Sequence, residues 1–450
     1  MRLKFNTKTK NNALFAGLYL LVIGLLCLAF LAEPSDAELF SGTRLVLFLL
    51  VMPLIVKMLI QLYAAFQYRK QLGYIPTQLE KPKVSVLLPA YNEEVGIIKT
   101  IESVLDSDYP DFELVVINDG STDNTGDLIR DFVTKHRQSE HKVHIEYLDL
   151  PNGGKAKALN HALTFAKGEI VITVDADCLM DKAAIGNFVK HFNHPQVGAV
   201  AGNVIVGNRQ KPIELIQQLE YVCGFFFKRS DSYFNAVHII GGAAAAYRRS
   251  VLQNLRGFDP EIITEDVEIS MRILGHGFKT RYAHDAVIYT EGPSDWKGLC
   301  NQRLRWKYGR ILTYKKHKEL FFNQRHKNPY LSWLVLPLSL YAELILLFQV
   351  ALVTLFFSYS FISGDYLPML IMMAISTSMV TLQIRLDSKK EFHNNLLPLI
   401  PIAWLLLYAI DFVELQALTR SIKRIVKRQT LEWQKWSRVG LNQESAEQSV

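Results

Sequence analysis

Long apolar runs open the chain, give way after Pro82 to short apolar runs separated by polar turns, and return beyond residue 330. Ala13 to Ala32 holds 20 residues without a charge, enough to cross a hydrocarbon core at about 1.5 Å per residue. A second run, Leu45 to Tyr68, is interrupted by one charge, Lys57, and is flanked by Arg44, Arg69 and Lys70. Lys57 is expected to snorkel toward cytosolic headgroups, with a role in substrate passage as the alternative. Between these runs and the later ones the pattern predicts strands at Val84 to Leu88, Glu113 to Ile117 and Glu169 to Val174. Helices are predicted at Glu94 to Leu105 and Gly153 to Ala166. Strand and helix in alternation predict an α/β domain with a mostly parallel sheet, and such sheets carry their sites at the carboxyl ends of the strands.

The rest of the chain divides on the same signal. Trp296 to Lys327 is basic and amphipathic, which predicts helices at a membrane surface. Leu331 to Phe361, Tyr366 to Ile384 and Phe392 to Ile410 follow as apolar runs, the first containing only Glu343 as a charge and the last broken by Pro398 and Pro401. The predicted layout is therefore two N-terminal membrane helices over 1–81, a globular domain over 82–295, and interfacial helices over 296–330. A membrane region of about three segments over 331–418 and a basic tail over 419–450 complete it. Three full crossings would leave the tail outside, whereas Arg420, Lys423, Arg424, Lys427, Arg428, Lys435 and Arg438 place it inside; the charge rule is the stronger of the two.

Composition agrees. Apolar residues make up 49% of the chain and the mean hydropathy is +0.10, above what a soluble enzyme needs. The net charge of +7 gathers beside the apolar runs and in the tail, where anionic lipid accounts for it; no nucleic-acid motif is present. Cys27, Cys178, Cys223 and Cys300 lack metal-ligand spacing and are expected to be reduced.

Candidate chemistry sits where the sheet rule points. Asp175-Ala-Asp177 follows an apolar strand, and two carboxylates there suit Mg²⁺ or Mn²⁺ carrying a diphosphate. Asn118 to Asp123 (NDGSTD) follows another strand; it reads either as a turn or as a nucleotide contact through Asp119. Gly153-Gly154-Lys155 opens a helix, a place for phosphate, although no P-loop or dinucleotide spacing accompanies it. Thr264-Glu265-Asp266 starts a helix, either as a plain cap or with Asp266 as a general base for a hydroxyl nucleophile. In Gln302-Arg303-Leu304-Arg305-Trp306, Arg305 suits a departing diphosphate and Trp306 offers a flat face to a sugar ring.

Taken together, PAYNEE (Pro89 to Glu94), NDGSTD, Gly154-Lys155, DAD (Asp175 to Asp177), TED (Thr264 to Asp266) and QRLRW (Gln302 to Trp306) resemble the processive family-two glycosyltransferases. That group includes cellulose, hyaluronan, chitin and poly-N-acetylglucosamine synthases, and the membrane layout looks most like the last of these, makers of biofilm exopolysaccharide. The resemblance implies a GT-A type α/β fold and an inverting single displacement. It places Pro89, Tyr91, Glu93, Asp119, Lys155 and Asp175 at the donor, Asp175 and Asp177 on the metal, and Glu265 and Asp266 at the catalytic centre. Gly241, Gly242, Gln302, Arg305 and Trp306 fall at the acceptor and leaving-group end, the glycines before a run of small residues that leaves room for a sugar. In the tail, Trp433, Trp436 and Arg438 resemble segments that close over the donor.

These readings converge on a multi-pass enzyme of a bacterial inner membrane with its catalytic domain in the cytosol. It would polymerise a β-linked glycan from a UDP-sugar, UDP-N-acetylglucosamine first among the candidates, and export it. Expected partners are the donor, the growing glycan, the bilayer, and, by resemblance, a small accessory membrane subunit and export proteins. A non-processive enzyme that glycosylates a lipid and an inactive scaffold of a glycan-export complex are the alternatives. Retention of Asp175, Asp177 and Asp266 together argues against the scaffold, and a transporter would leave the globular middle unexplained.

Overall fold

The structure, a computed structural model, describes residues 17, 43–72, 81–138, 143–431 and 438–441. Apart from Gly17, the run Ala13 to Ala32 lies outside the described residues, as do Cys27 within it and Trp433 and Trp436 in the tail. A long helix α1 (Thr43–Leu72) leads to the domain. There β1 (Val84–Ala90), α2 (Ile97–Leu105), β2 (Phe112–Asp119), α3 (Thr125–Arg137), β3 (His144–Leu150), α4 (Lys155–Phe165) and β4 (Ile170–Thr173) follow in strict alternation. β5 (Cys178–Met180), α5 (Ala184–Val189), β6 (Val197–Val206), α6 (Pro212–Tyr233), β7 (Ala245–Arg248), α7 (Arg249–Asn254), α8 (Glu265–Gly275) and β8 (Lys279–Thr290) complete it.

All eight strands form one sheet in the order β3-β2-β1-β4-β7-β6-β8-β5. The first half is parallel as the alternation predicts. The second half departs from a mostly parallel sheet: β7 runs antiparallel to both β4 and β6, β5 is antiparallel to β8, and only β6 with β8 is parallel. Although α6 lies between β6 and β7, the chain re-enters the sheet at the end where β6 left it, so β7 pairs antiparallel with both of its neighbours. Every residue of β1, β2 and β6 is buried, because helices cover both faces. Val84, Val86 and Leu88 pack with α2, α3 and α5 on one face, while Leu87, Val115 and Ile117 pack with α4, α7 and α8 on the other.

Beyond β8 come α9 (Trp296–Lys316), α10 (Leu336–Leu347), α11 (Gln349–Ser363), α12 (Leu367–Leu386) and α13 (Ala403–Val426). The run Leu331 to Phe361 is thus two helices broken at Phe348, and the proline-containing run is a 3₁₀ segment, Lys390–Ile402, that continues into α13. Pro398 and Pro401 lack the N–H groups an α-helix would use, which accounts for the tighter turn. Among the described residues, four helical stretches are long and apolar enough to cross a membrane: Phe48–Tyr68, Tyr330–Leu347, Leu367–Leu386 and Lys390–Val426. The charges of Asp231 and Arg310 act on Lys57. Cys178, Cys223 and Cys300 are free thiols, as expected.

Candidate active site

Parallel pairing of β2, β1 and β4 brings the loops after those strands to one edge of the sheet, with Ala90 beside Asn118 and Leu87 beside Thr173. The first two loops are stitched together. Asn92 adopts a positive φ of 55°, and from there its side-chain oxygen accepts the Thr122 N–H at 2.6 Å while its own N–H reaches Ser121 Oγ at 2.9 Å. Glu93 N–H donates to Thr125 Oγ1 at 2.7 Å. PAYNEE and NDGSTD therefore form one rigid rim.

Asp119, at the end of β2, is buried and accepts two N–H bonds, from Gly153 at 2.8 Å and Gly154 at 2.9 Å. The backbone donors that open α4 are thus committed to a carboxylate of the site, and Gly154 takes a φ of 88° to make the turn. Burial raises the Asp119 pKa even against those two bonds. Lys155, next along, reaches Asp175 Oδ1 at 2.5 Å and Glu265 Oε1 at 3.2 Å. Burial works against its ammonium, yet Asp175, Glu265 and Asp266 together hold its pKa well above the usual lysine range. The Glu265 pKa is raised by burial, with Lys155 opposing and Asp266 and Asp175 adding to the rise. One lysine thus holds the DAD and TED motifs against each other.

Asp266 stands in the first turn of α8, and its Oδ2 accepts the Gly242 N–H at 2.8 Å. A Cβ on Gly242 would lie 2.8 Å from Lys155 Nζ, so any side chain there would push the lysine ammonium from its place where these groups converge. The QRLRW motif lies on α9, which is not a surface helix: Gln302, Arg303, Leu304 and Arg305 are all buried. α9 approaches α8 closely at Gly309, where a Cβ would fall 2.5 Å from Thr264 Cγ2. Gly309→Ala is expected to destabilise the protein by about 1–3 kcal/mol through overpacking and to displace the start of α8. Thermal unfolding and transfer rate of the purified variant check it.

Arg303 was not among the residues singled out by sequence, yet it is 2% exposed and organises the wall behind Trp306. Its guanidinium bonds Glu220 of α6 at 2.6 Å, lies 3.5 Å from Glu414 of α13, and stacks over the Trp306 ring at 4.1 Å. Lys307 bridges Glu414 and Glu343 at 2.7 Å each, and Arg310 bonds Glu343 at 2.8 Å. Burial pushes the Glu220 carboxyl up to about 7 against the pull of Arg303. The lone Glu343 in an apolar run was the visible signal, since a charge there demands a partner.

From the tail, Arg438 enters between the first and third loops. Its guanidinium contacts Glu93 at 3.0 Å and Asp177 at 2.6 Å. Val439 and Gly440 donate their N–H groups to Glu291 at 2.7 and 2.9 Å, and Leu441 is buried against Leu179, Ile205 and Tyr289.

A single cavity of about 1110 Å³ joins these parts. Pro89, Tyr91, Glu93, Asp119, Lys155, Asp175 and Asp177 line one end, Gly241, Gly242, Glu265 and Asp266 the middle, and Gln302, Arg305 and Trp306 the far wall. The structure therefore brings every described residue of the expected site into one space. Asp175 and Asp177 are hard oxygen donors of the kind Mg²⁺ and Mn²⁺ take, two carboxylates being usual where phosphates and water fill the remaining positions. Among the described residues no group of three or more His, Cys, Asp or Glu side chains that could hold a metal ion occurs. The side-chain oxygen of Gln302 is buried at the far wall with no hydrogen-bond partner among the described residues.

Known proteins place this arrangement. Residues 82–309 match the family described as glycosyltransferase like family 2. A poly-beta-1,6-N-acetyl-D-glucosamine synthase of Staphylococcus epidermidis is 31% identical over 334 residues, which is 71% of this chain and 78% of that one. A Bacillus subtilis protein named "Probable glycosyltransferase YdaM" is 32% identical over 255 residues, 55% of this chain and 60% of its own. Among solved structures, the mannosyltransferase PcManGT from Pyrobaculum calidifontis, in complex with GDP-Man and Mn²⁺, superposes with a TM-score of 0.54 at 21% identity, over 85% of this chain and 99% of that one. The last likeness shows the shared GT-A type fold, here with a mixed sheet. With half the chain matched by the family and a relative above 30% identity matched over most of its length, the chain belongs to the family-2 glycosyltransferases.

Proposed function

We propose that this glycosyltransferase polymerises a β-linked N-acetylglucosamine chain from UDP-N-acetylglucosamine at a bacterial inner membrane, with its catalytic domain cytosolic, and passes the product across. The observation that carries the reading is the continuous cavity, which puts the DAD, TED and QRLRW motifs around one space; the synthase relative points to the same sugar. In this reading Pro89, Tyr91, Glu93 and Asp119 shape the nucleotide end, and Asp119 also fixes the 153–154 turn that presents Lys155. Asp175 and Asp177 hold Mg²⁺ or Mn²⁺, which neutralises diphosphate charge when bound.

The acceptor hydroxyl gives its proton to Asp266 as its oxygen attacks the anomeric carbon from the face opposite the diphosphate. The bond from that carbon to the phosphate oxygen breaks, UDP leaves with the electron pair, and the anomeric configuration inverts. Gly242 N–H orients the Asp266 carboxylate, and Glu265, paired to Lys155, keeps that lysine beside the departing diphosphate. Arg305, buried at the wall, meets the developing negative charge. Trp306, backed by Arg303 and by Tyr221 at 6.5 Å between ring centres, gives the terminal acceptor sugar its platform.

Membranes or purified protein incubated with a panel of UDP-sugars and Mg²⁺ are expected to yield polymer from UDP-N-acetylglucosamine alone, and none after chelation with EDTA. A single sugar added to lipid would replace polymerisation with the lipid-transfer reading. Arg438 with Trp433 and Trp436 is proposed to gate the donor end, motivated by the guanidinium seated on Glu93 and Asp177. Truncation after Lys427 is then expected to lower polymerisation, and unchanged product in membranes removes the gate. Accessory and export partners remain part of the proposal through family resemblance; a copurification with the full chain tests them.

A further inference from the structure

The cavity does not end at Trp306. At about 1110 Å³ it exceeds the roughly 300–1,000 Å³ usual for a pocket that takes one small ligand, and its surplus lies along α6. Glu220, Tyr221, Gly224, Phe225, Lys228 and Asp231 all line it, and their three- and four-residue spacing puts them on one face of that helix. Tyr221 packs on Trp306; Lys228 lies seven residues further on, about 10 Å at 1.5 Å per residue, a distance suited to a second pyranose ring.

The polar groups at that depth have been left for something other than protein. The Lys228 ammonium lies 4.0 Å over the Phe225 ring, and it makes no ion pair or hydrogen bond among the described residues. It lines the same cavity as Asp266 and Asp231, and the charges of both act on it. His238 lines the opposite side, its Nδ1 buried, without a hydrogen-bond partner among the described residues, and 3.6 Å from Asp231. Tyr330 donates to Asp231 Oδ1 at 3.2 Å and fixes that carboxylate. A buried ring nitrogen such as His238 Nδ1 without a hydrogen bond is costly unless a ligand or water meets it.

We infer that Lys228, Asp231 and His238 form a second sugar subsite, which holds the residue next to the acceptor terminus of a neutral N-acetylhexosamine chain. The inference rests on the glycan-polymerising reading above and adds where the second sugar binds and what recognises it. An acetamido group presents a carbonyl oxygen and an N–H together, and a cation beside a carboxylate complements both. A uronic acid or an unacetylated amine would satisfy one of the two charges and set its own charge against the other.

The test measures initial transfer by the full-length protein in nanodiscs, from UDP-N-acetylglucosamine to N-acetylglucosamine and to its β-1,6 disaccharide. The wild type is expected to show a KM about tenfold lower for the disaccharide, the worth of one hydrogen bond to a charged group. In Lys228→Met and His238→Ala that ratio is expected to fall toward one, with part of it restored in Lys228→Arg. A disaccharide lacking the acetyl group on its second sugar is expected to lose the advantage with the wild type. A general folding defect lowers both rates and leaves the ratio intact. Variants that keep the wild-type ratio overturn the subsite while transfer itself stands; a wild type inactive with every UDP-sugar overturns the reading on which it rests.

Discussion

Asp266→Asn is expected to reduce transfer by about 10²–10⁴-fold, the range general-base catalysis supplies, while UDP binding and thermal stability stay near wild type. The asparagine oxygen can still accept the Gly242 N–H that Asp266 Oδ2 accepts at 2.8 Å, so the turn at 241–242 keeps its place. What is lost is the group that removes the acceptor proton. Steady-state rates together with UDP affinity from calorimetry separate the two, and a variant with full turnover would falsify Asp266 as the base. Glu265 cannot take over, because Lys155 occupies its carboxylate at 3.2 Å.

The second large effect concerns stability. Arg303→Met removes the cation between Glu220 and Glu414, and breaking a buried pair from one side costs about 3–5 kcal/mol. The sign of its pH dependence follows from Glu220. Burial raises its folded pKa to about 7 from an ordinary value of 4.5, even with Arg303 opposing. The folded state therefore holds a proton that the unfolded chain gives up, and the stability this provides is complete at low pH and lost as pH rises through the folded value. Without Arg303 that value moves higher, so the deficit in Tm is expected to be larger near pH 8 than near pH 6. Differential scanning at both values checks it, and equal deficits would place Glu220 outside the pair. Loss of the cation against the ring should also loosen Trp306, seen as a raised acceptor KM.

The legible and illegible parts of this molecule separate by distance along the chain. β1, β2 and β4 with α2 and α4 could be read because each apolar run is closed by its own turn, and the three loops that carry Asp119, Asp175 and Glu93 follow from parallel alternation; α3 and the partly exposed β3 were not among the predicted elements. The antiparallel entry of β7 could not be read, since Ala243 to Tyr247 is as compatible with a packed helix as with a strand. α6 escaped for another reason: Gln217, Gln218, Arg229 and Asp231 are buried on it, the first three bonded to Pro293, Asn395 and Leu386, so its polar positions follow protein partners and not solvent, and the amphipathic pattern is lost. QRLRW was visible as a motif, but its charges read as a surface helix because their partners, Glu343 and Glu414, are solitary residues in distant apolar runs. Arg438 was reached by resemblance; its seat on Asp177 depends on a tail whose path the sequence does not specify.

The pairing of α9 with membrane carboxylates also bears on how the chain is made. Synthesis runs from the N-terminus, and domains generally fold as units in that order. Yet the helix that completes this active site carries two cations whose carboxylates come later in the chain: Glu343 follows Arg310 by 33 residues, and Glu414 of α13 pairs with Lys307, while Glu220, the nearer partner of Arg303, precedes it. Lys307 and Arg310 therefore have all their carboxylates only once the chain has been made through Glu414, and a fragment that stops before α13 is expected to lack part of the wall behind Trp306.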